Sequence, residues 1–183
     1  RRMREPRDPG MASMNSAPEN PLPSAAATAA AVPMDVLVCG HPALRRTSKP
    51  VEELTPALRR LAARMVVTMF ENETRGIGLA APQVGVNVRL VALATCDDPM
   101  EIPPNASPGE RLLGPQMPLV LVNPEIVSTS QATVSYVEGC LSVPEISAEV
   151  VRPESGVLRA RTLDGRMLQV ECGGLLARCI QHG

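Results

Sequence analysis

Aromatic side chains are almost missing from this 183-residue sequence: it has no tryptophan, one tyrosine (Tyr136) and one phenylalanine (Phe70). Its core must therefore be filled by Leu, Val, Ile, Met and Ala, whose many small contacts replace those of rings. A charge excess is also missing. The chain carries 18 Lys and Arg against 19 Asp and Glu, a formal charge of −1, which removes the electrostatic argument for nucleic acid or an anionic membrane as partner. No apolar run approaches the ~18–20 residues of a membrane span. The run Ala25 to Val32 is short and mostly alanine, too weak for a signal-peptide core. The five cysteines, Cys39, Cys96, Cys140, Cys172 and Cys179, are odd in number and lack a disulfide-framework rhythm, which favours a reducing compartment. What is present, 44% apolar and 20% charged residues, fits a soluble globular domain with a tail.

Residues 1–34 read as a disordered leader, because six prolines and an Ala/Ser run offer little to bury. Arg1, Arg2, Arg4 and Arg7 suit an organelle transit segment, but Glu5, Asp8 and Glu19 oppose it. The expectation is thus a cytoplasmic protein, with an organelle as the alternative. The folded domain is expected over 35–183. Thr55-Pro56 is a helix start, a capping side chain followed by proline at the first helical position. Leu58, Leu61, Ala62, Met65, Val66 and Met69 recur at helical spacing and predict a core helix to about Asn72. Strands are predicted over Val88–Ala94, Leu119–Val122, Ser147–Val151 and Val157–Leu163. The Asp164-Gly165 pair then turns a hairpin into Arg166–Val170. The six prolines between Asp97 and Pro118 predict a long loop. Leu175, Leu176, Cys179 and Ile180 mark a final helix. Helix, strands, helix gives an α+β class with mostly antiparallel sheet.

Three motifs carry chemistry-bearing residues. Gly76-Ile77-Gly78-Leu79-Ala80-Ala81-Pro82-Gln83-Val84-Gly85 combines glycines that allow close backbone approach with an amide able to donate to a substrate oxygen. Taken alone it is most often just a turn. Glu138-Gly139-Cys140-Leu141-Ser142 holds a cysteine that, alone, reads best as a small buried apolar residue. The last helix ends in Gln181-His182, one of only two histidines in the chain. A lone helical histidine is more often structural than a ligand.

In this order the three motifs resemble the signature of the peptide deformylases, metal-dependent hydrolases that remove the formyl group from N-formylmethionine of newly made proteins. The resemblance spans residues 35–183, including Val36 to Val51, which is similar to the family's N-terminal strand and turn. It implies mostly antiparallel sheets around a C-terminal metal-binding helix. It further implies Cys140 and His182 as metal ligands, with Gln83 and the backbone N–H of Leu141 steadying the formyl oxygen. Ile77, Gly78, Leu175 and Cys179 match positions that line the methionine pocket or contact the peptide. One divalent ion is implied, Fe²⁺ natively, with Zn²⁺, Ni²⁺ or Co²⁺ able to replace it. The implied partners are N-formylmethionyl nascent peptides at the ribosome, and the protein is expected to act as a monomer.

The chemistry asks for these residue types. Hydrolysis of a formamide near pH 7 needs a nucleophile stronger than water, which a divalent ion with an open position supplies. An adjacent glutamate moves the proton, and preplaced donors meet the charge growing on the carbonyl oxygen. The sequence departs from the family at one point. Gly183 follows His182 where the family's HExxH helix has its glutamate, and the sequence ends before the second histidine. A truncated, catalytically dead deformylase is therefore the alternative expectation, with an end of helix that frays and leaves His182 unsupported. A thiol hydrolase, with Cys140 as nucleophile and His182 as base, lacks any visible third group to orient the histidine.

Overall fold

The structure is a computed structural model that describes residues 28–183. The first long element is helix α1, Pro56–Glu71, and it starts as the sequence dictates: the Thr55 side chain accepts from Leu58 N, with proline in the first turn. Strand β1, Gly78–Ala80, is followed by a 3-10 turn, Ala81–Val84. Then come β2 (Leu90–Leu93), helix α2 (Pro108–Leu113) and β3 (Leu119–Thr129). Strands β4 (Thr133–Cys140) and β5 (Val143–Pro153) form a hairpin, as do β6 (Gly156–Thr162) and β7 (Met167–Cys172), and helix α3, Gly174–His182, ends the chain.

A five-stranded sheet runs in the order β1-β2-β3-β6-β7, and β4 and β5 make a separate two-stranded sheet. Every strand pair is antiparallel, which agrees with the expected α+β class. The core lies on both faces of the large sheet. Side chains alternate along a strand, so Leu90, Ala92, Val120 and Val122 face α1 with Met65, Val66 and Met69. Val91, Leu93, Leu119 and Leu121 face the other way, onto Leu176, Ala177 and Cys179 of α3. β2 and the start of β3 are buried throughout because a helix covers each side.

One expectation needs correction, and two features add to the reading. The segment 97–118 is not a featureless loop. Ser107 and Glu110 form a capping box, with Ser107 N donating to Glu110 Oε2 at 2.9 Å and Glu110 N to Ser107 Oγ at 3.3 Å, and α2 follows directly. β4 carries no strand signal in the sequence, because its residues are mostly exposed or half-buried and lack a clean apolar alternation. Residues 32–34 also touch the domain. Val32 O accepts from Arg64 Nε at 2.9 Å, and Met34 N donates to Thr68 Oγ1 at 2.8 Å, which docks this stretch on α1. The expected disorder of residues 1–27 lies outside the described residues. No helix among the described residues is long and apolar enough to cross a membrane.

Candidate active site

A cavity of about 500 Å³ opens between β1, the β4–β5 hairpin and α3. Gln83, Cys140, Leu141, Ile77, Gly78, Leu175, Cys179 and His182 all line it, so residues spread over more than a hundred positions of sequence share one wall. The glycines of the first motif explain how the elements come so close. A Cβ on Gly76 would lie 2.7 Å from Leu141 Cδ1, and one on Gly78 would lie 2.6 Å from Cys179 Sγ. A side chain at either position would force Leu141 or the Cys179 thiol to shift, or the backbone to back away from the second and third motifs. The Cys179 thiol donates to Ile77 O at 3.4 Å, and burial drives its pKa up to about 12, so it is an inert wall group.

Gln83 is held at both ends of its amide. Its Oε1 accepts from Ala80 N at 2.8 Å, and its Nε2 donates to Ser142 Oγ at 3.1 Å and faces Cys140 Sγ at 3.8 Å. Cys39 N in turn donates to Ser142 O at 2.7 Å, and Leu37 N to Gln83 O at 2.7 Å. The N-terminal segment thus ties the first motif to the second.

The sequence reading missed the residue that organises the far wall, Glu138. Its side chain is only 8% exposed. Arg152 grips it with two bonds, Nε to Oε1 at 2.6 Å and Nη2 to Oε2 at 2.7 Å; Arg178 Nη1 donates to Oε1 at 2.9 Å. His182 Nδ1 lies 2.7 Å from Oε2. The Arg152 bonds do most to hold the carboxyl at about 2, against burial, and the bonds from His182 and Arg178 add to this. Glu138 is thus an anion placed to accept from His182 Nδ1–H, the tautomer that would leave Nε2 as a lone-pair donor. This corrects the expectation of an unsupported His182. α3 remains helical through His182, and Gly183 N still bonds Cys179 O at 3.2 Å. The one signal in the sequence was a glutamate two residues before the cysteine, together with Arg178 interrupting an apolar helix face.

The donor types, a thiolate and an imidazole with a carboxylate behind it, fit a borderline divalent ion. Their number is smaller than a complete site needs, for the described residues hold no group of three or more His, Cys, Asp and Glu placed to bind a metal. A third, orienting group for His182 does exist, contrary to expectation, yet no hydrogen bond among the described residues joins the His182 ring to Cys140 Sγ. The thiol-hydrolase arrangement needs that bond.

The chain matches the profile of the family described as Polypeptide deformylase over residues 33–183. Peptide deformylase of Salinibacter ruber is 43% identical over 149 residues, covering 81% of this chain and 73% of the relative. Peptide deformylase 2 of Gloeobacter violaceus is 43% identical over 150 residues, covering 82% and 72%. Among solved structures, peptide deformylase from Ehrlichia chaffeensis superposes with a TM-score of 0.71 at 31% identity, covering 82% of this chain and 80% of that one. The Synechococcus elongatus enzyme in complex with actinonin gives 0.68 at 37% identity, covering 84% and 72%.

Proposed function

The chain belongs to the polypeptide deformylase family, metal-dependent hydrolases that take the formyl group from N-formylmethionine of newly made proteins, and from that premise we propose how its cavity serves the reaction. Cys140 and His182 are the protein ligands of one divalent ion, Fe²⁺ natively, with Zn²⁺, Ni²⁺ or Co²⁺ as substitutes. When bound, the ion supplies Lewis-acid activation of water. The observation that carries the reading is the convergence of Gln83, Cys140, Leu141 and His182 on a single cavity.

The remaining steps fall to the chain's own residues. Gln83, fixed by Ala80 and Ser142, and the Leu141 N–H meet the charge that grows on the formyl oxygen. Such a donor is worth roughly 3–4 kcal/mol in the transition state. Ile77, Gly78, Leu175 and Cys179 take the methionine side chain, whose unbranched thioether suits an apolar slot. Glu138 holds the His182 imidazole with Nε2 free. The substrate is a formylated nascent peptide met at the ribosome, by a monomer, in a bacterial-type cytoplasm or an organelle. In a chain where Gly183→Glu is followed by two residues and a histidine, turnover of formyl-Met-Ala-Ser should far exceed that of formyl-Asp-Ala-Ser, and equal rates would sink the pocket assignment.

Gly183 supports a second reading, a chain that binds without turning over. The position directly after His182 holds Gly183 and so offers no carboxylate, and a missing general base costs typically 10²–10⁴-fold. The test compares metal content after dialysis, and formate release, for two proteins. One is the 183-residue chain; in the other Gly183→Glu is followed by two residues and a histidine. Weak metal retention and little formate from the first, with both restored in the second, is the expected result. Stoichiometric metal and full turnover in the first would mean that the ligand set is wrong.

A further inference from the structure

Two residues of helix α3 meet the β4–β5 hairpin at the Glu138 carboxylate, while Gln181 bonds β5 beside them, its Nε2 donating to Pro153 O at 3.0 Å and its carbonyl accepting from Arg152 Nη1 at 3.3 Å. Arg178 and His182 lie four positions apart, one helical turn, so their side chains share a face. Arg178 Nη1 takes Glu138 Oε1 at 2.9 Å, and His182 Nδ1 sits 2.7 Å from Oε2. The guanidinium also reaches both strands of the hairpin, with Nη1 donating to Val150 O at 2.9 Å and Nη2 to Val134 O at 2.7 Å. The Tyr136 ring covers it at 5.2 Å. At 6% exposure, Arg178 is a buried cation in a helix whose neighbours Leu176, Ala177 and Cys179 are apolar core.

We propose that Arg178 is a positioning residue: acting through Glu138 it fixes the His182 imidazole, and it holds the hairpin that carries Cys140 against the helix that carries His182. The first part stands on geometry alone; the second rests on the reading of Cys140 and His182 as the ligand pair. The two donors come from different elements, the end of β4 and the end of α3, so their separation depends on how the hairpin sits on the helix. A planar guanidinium can bond Glu138, Val134 and Val150 at once, and this makes it specific to one docking of three segments. An ammonium is a point charge on a flexible stem and cannot span all three. Arg152 holds both oxygens of Glu138, so loss of Arg178 leaves the carboxylate paired, but it removes the bonds to Val134 and Val150 that seat α3 on the hairpin in front of that carboxylate. Its alignment on His182 Nδ1 is then lost, and the ring samples both tautomers.

The chain has two histidines, which makes the test clean. Long-range proton–nitrogen spectra of the imidazoles, taken on the apo chain at a fixed pH of about 8 where an ordinary histidine is neutral, should give His182 as a single tautomer with the proton on Nδ1. His41, whose Nδ1 accepts from Ala43 N at 3.2 Å, is the internal control. In Arg178→Met the His182 signals should average between tautomers while those of His41 stay. Arg178→Lys should fall between, and Co²⁺ affinity should drop about 10–100-fold in the Met variant, as for loss of a group that supports a metal-binding histidine. A folded Arg178→Met protein with unchanged His182 signals would overturn the proposal. If that variant fails to fold, the Lys variant decides in the same way. A wild-type His182 ordered by Arg178, with no Co²⁺ uptake even where Gly183→Glu is followed by two residues and a histidine, would support the positioning and overturn the ligand reading alone.

Discussion

The Ser107 hydroxyl accepts a 2.8 Å hydrogen bond from Gly173 N, 66 residues away in sequence. Gly173 is the N-cap of α3 and has no side chain to cap with, so the first turn of the helix that carries His182 is capped by a residue from α2's capping box. Glu110 lies over the same turn, so close to Gly174 that a Cβ there would collide with its carboxylate. Ser107→Ala removes the acceptor for two backbone donors, Gly173 N and Glu110 N. It should cost about 1–2 kcal/mol, read as a lower melting temperature. An unchanged melt would show that water serves both donors equally well.

Gly78→Ala tests the contact between the first and third motifs. Its new Cβ would sit 2.6 Å from Cys179 Sγ, and overpacking of this kind costs about 1–3 kcal/mol. Adding Cys179→Ala should recover part of that loss. A double-mutant cycle in denaturant measures the coupling, and simple additivity would mean that β1 moves aside without effect.

Thiol labelling should sort the cysteines. Burial pushes Cys172 and Cys179 up to about 12, so near pH 8 they are thiols rather than thiolates as well as shielded. Burial, with the carboxylates of Asp98, Asp97 and Glu101, raises Cys96 too. Cys39 is exposed and Cys140 partly so. Alkylation followed by mass spectrometry should therefore modify Cys39 and Cys140 first and the two buried thiols only on unfolding. In the chain where Gly183→Glu is followed by two residues and a histidine, a divalent ion should slow Cys140 and leave Cys39 alone. Equal rates at Cys140 with and without the ion would remove it from the ligand set.

Removal of residues 1–31 should leave the melting temperature unchanged. Removal through residue 34 takes away the Val32–Arg64 and Met34–Thr68 bonds, each worth about 1 kcal/mol net, and should lower it by several degrees. If the two truncations melt together, the segment 32–34 contributes no stability.

Local signals in the sequence determined the elements whose causes are local. Thr55-Pro56 starts α1 because the cap and the fixed proline backbone lie within four residues, and Asp164-Gly165 turns β6 into β7 with Gly165 at φ +95°. The ordered motifs likewise determined the family and the set of residues that meet at the cavity. Tertiary structure alone decided the rest, because the partners are distant. β2 reads as a strand, but only α1 on one face and α3 on the other make all four of its residues buried. Gly173 reads as a poor helix start until Ser107 arrives from another helix. Glu138 reads as an ordinary strand glutamate, and becomes the anchor of His182 only when Arg152 and Arg178 converge on it from another strand and another helix. Hydrogen-bond partners 14, 40 and 44 residues away leave no periodic trace in a chain, since periodicity records which way a side chain faces and not what it meets.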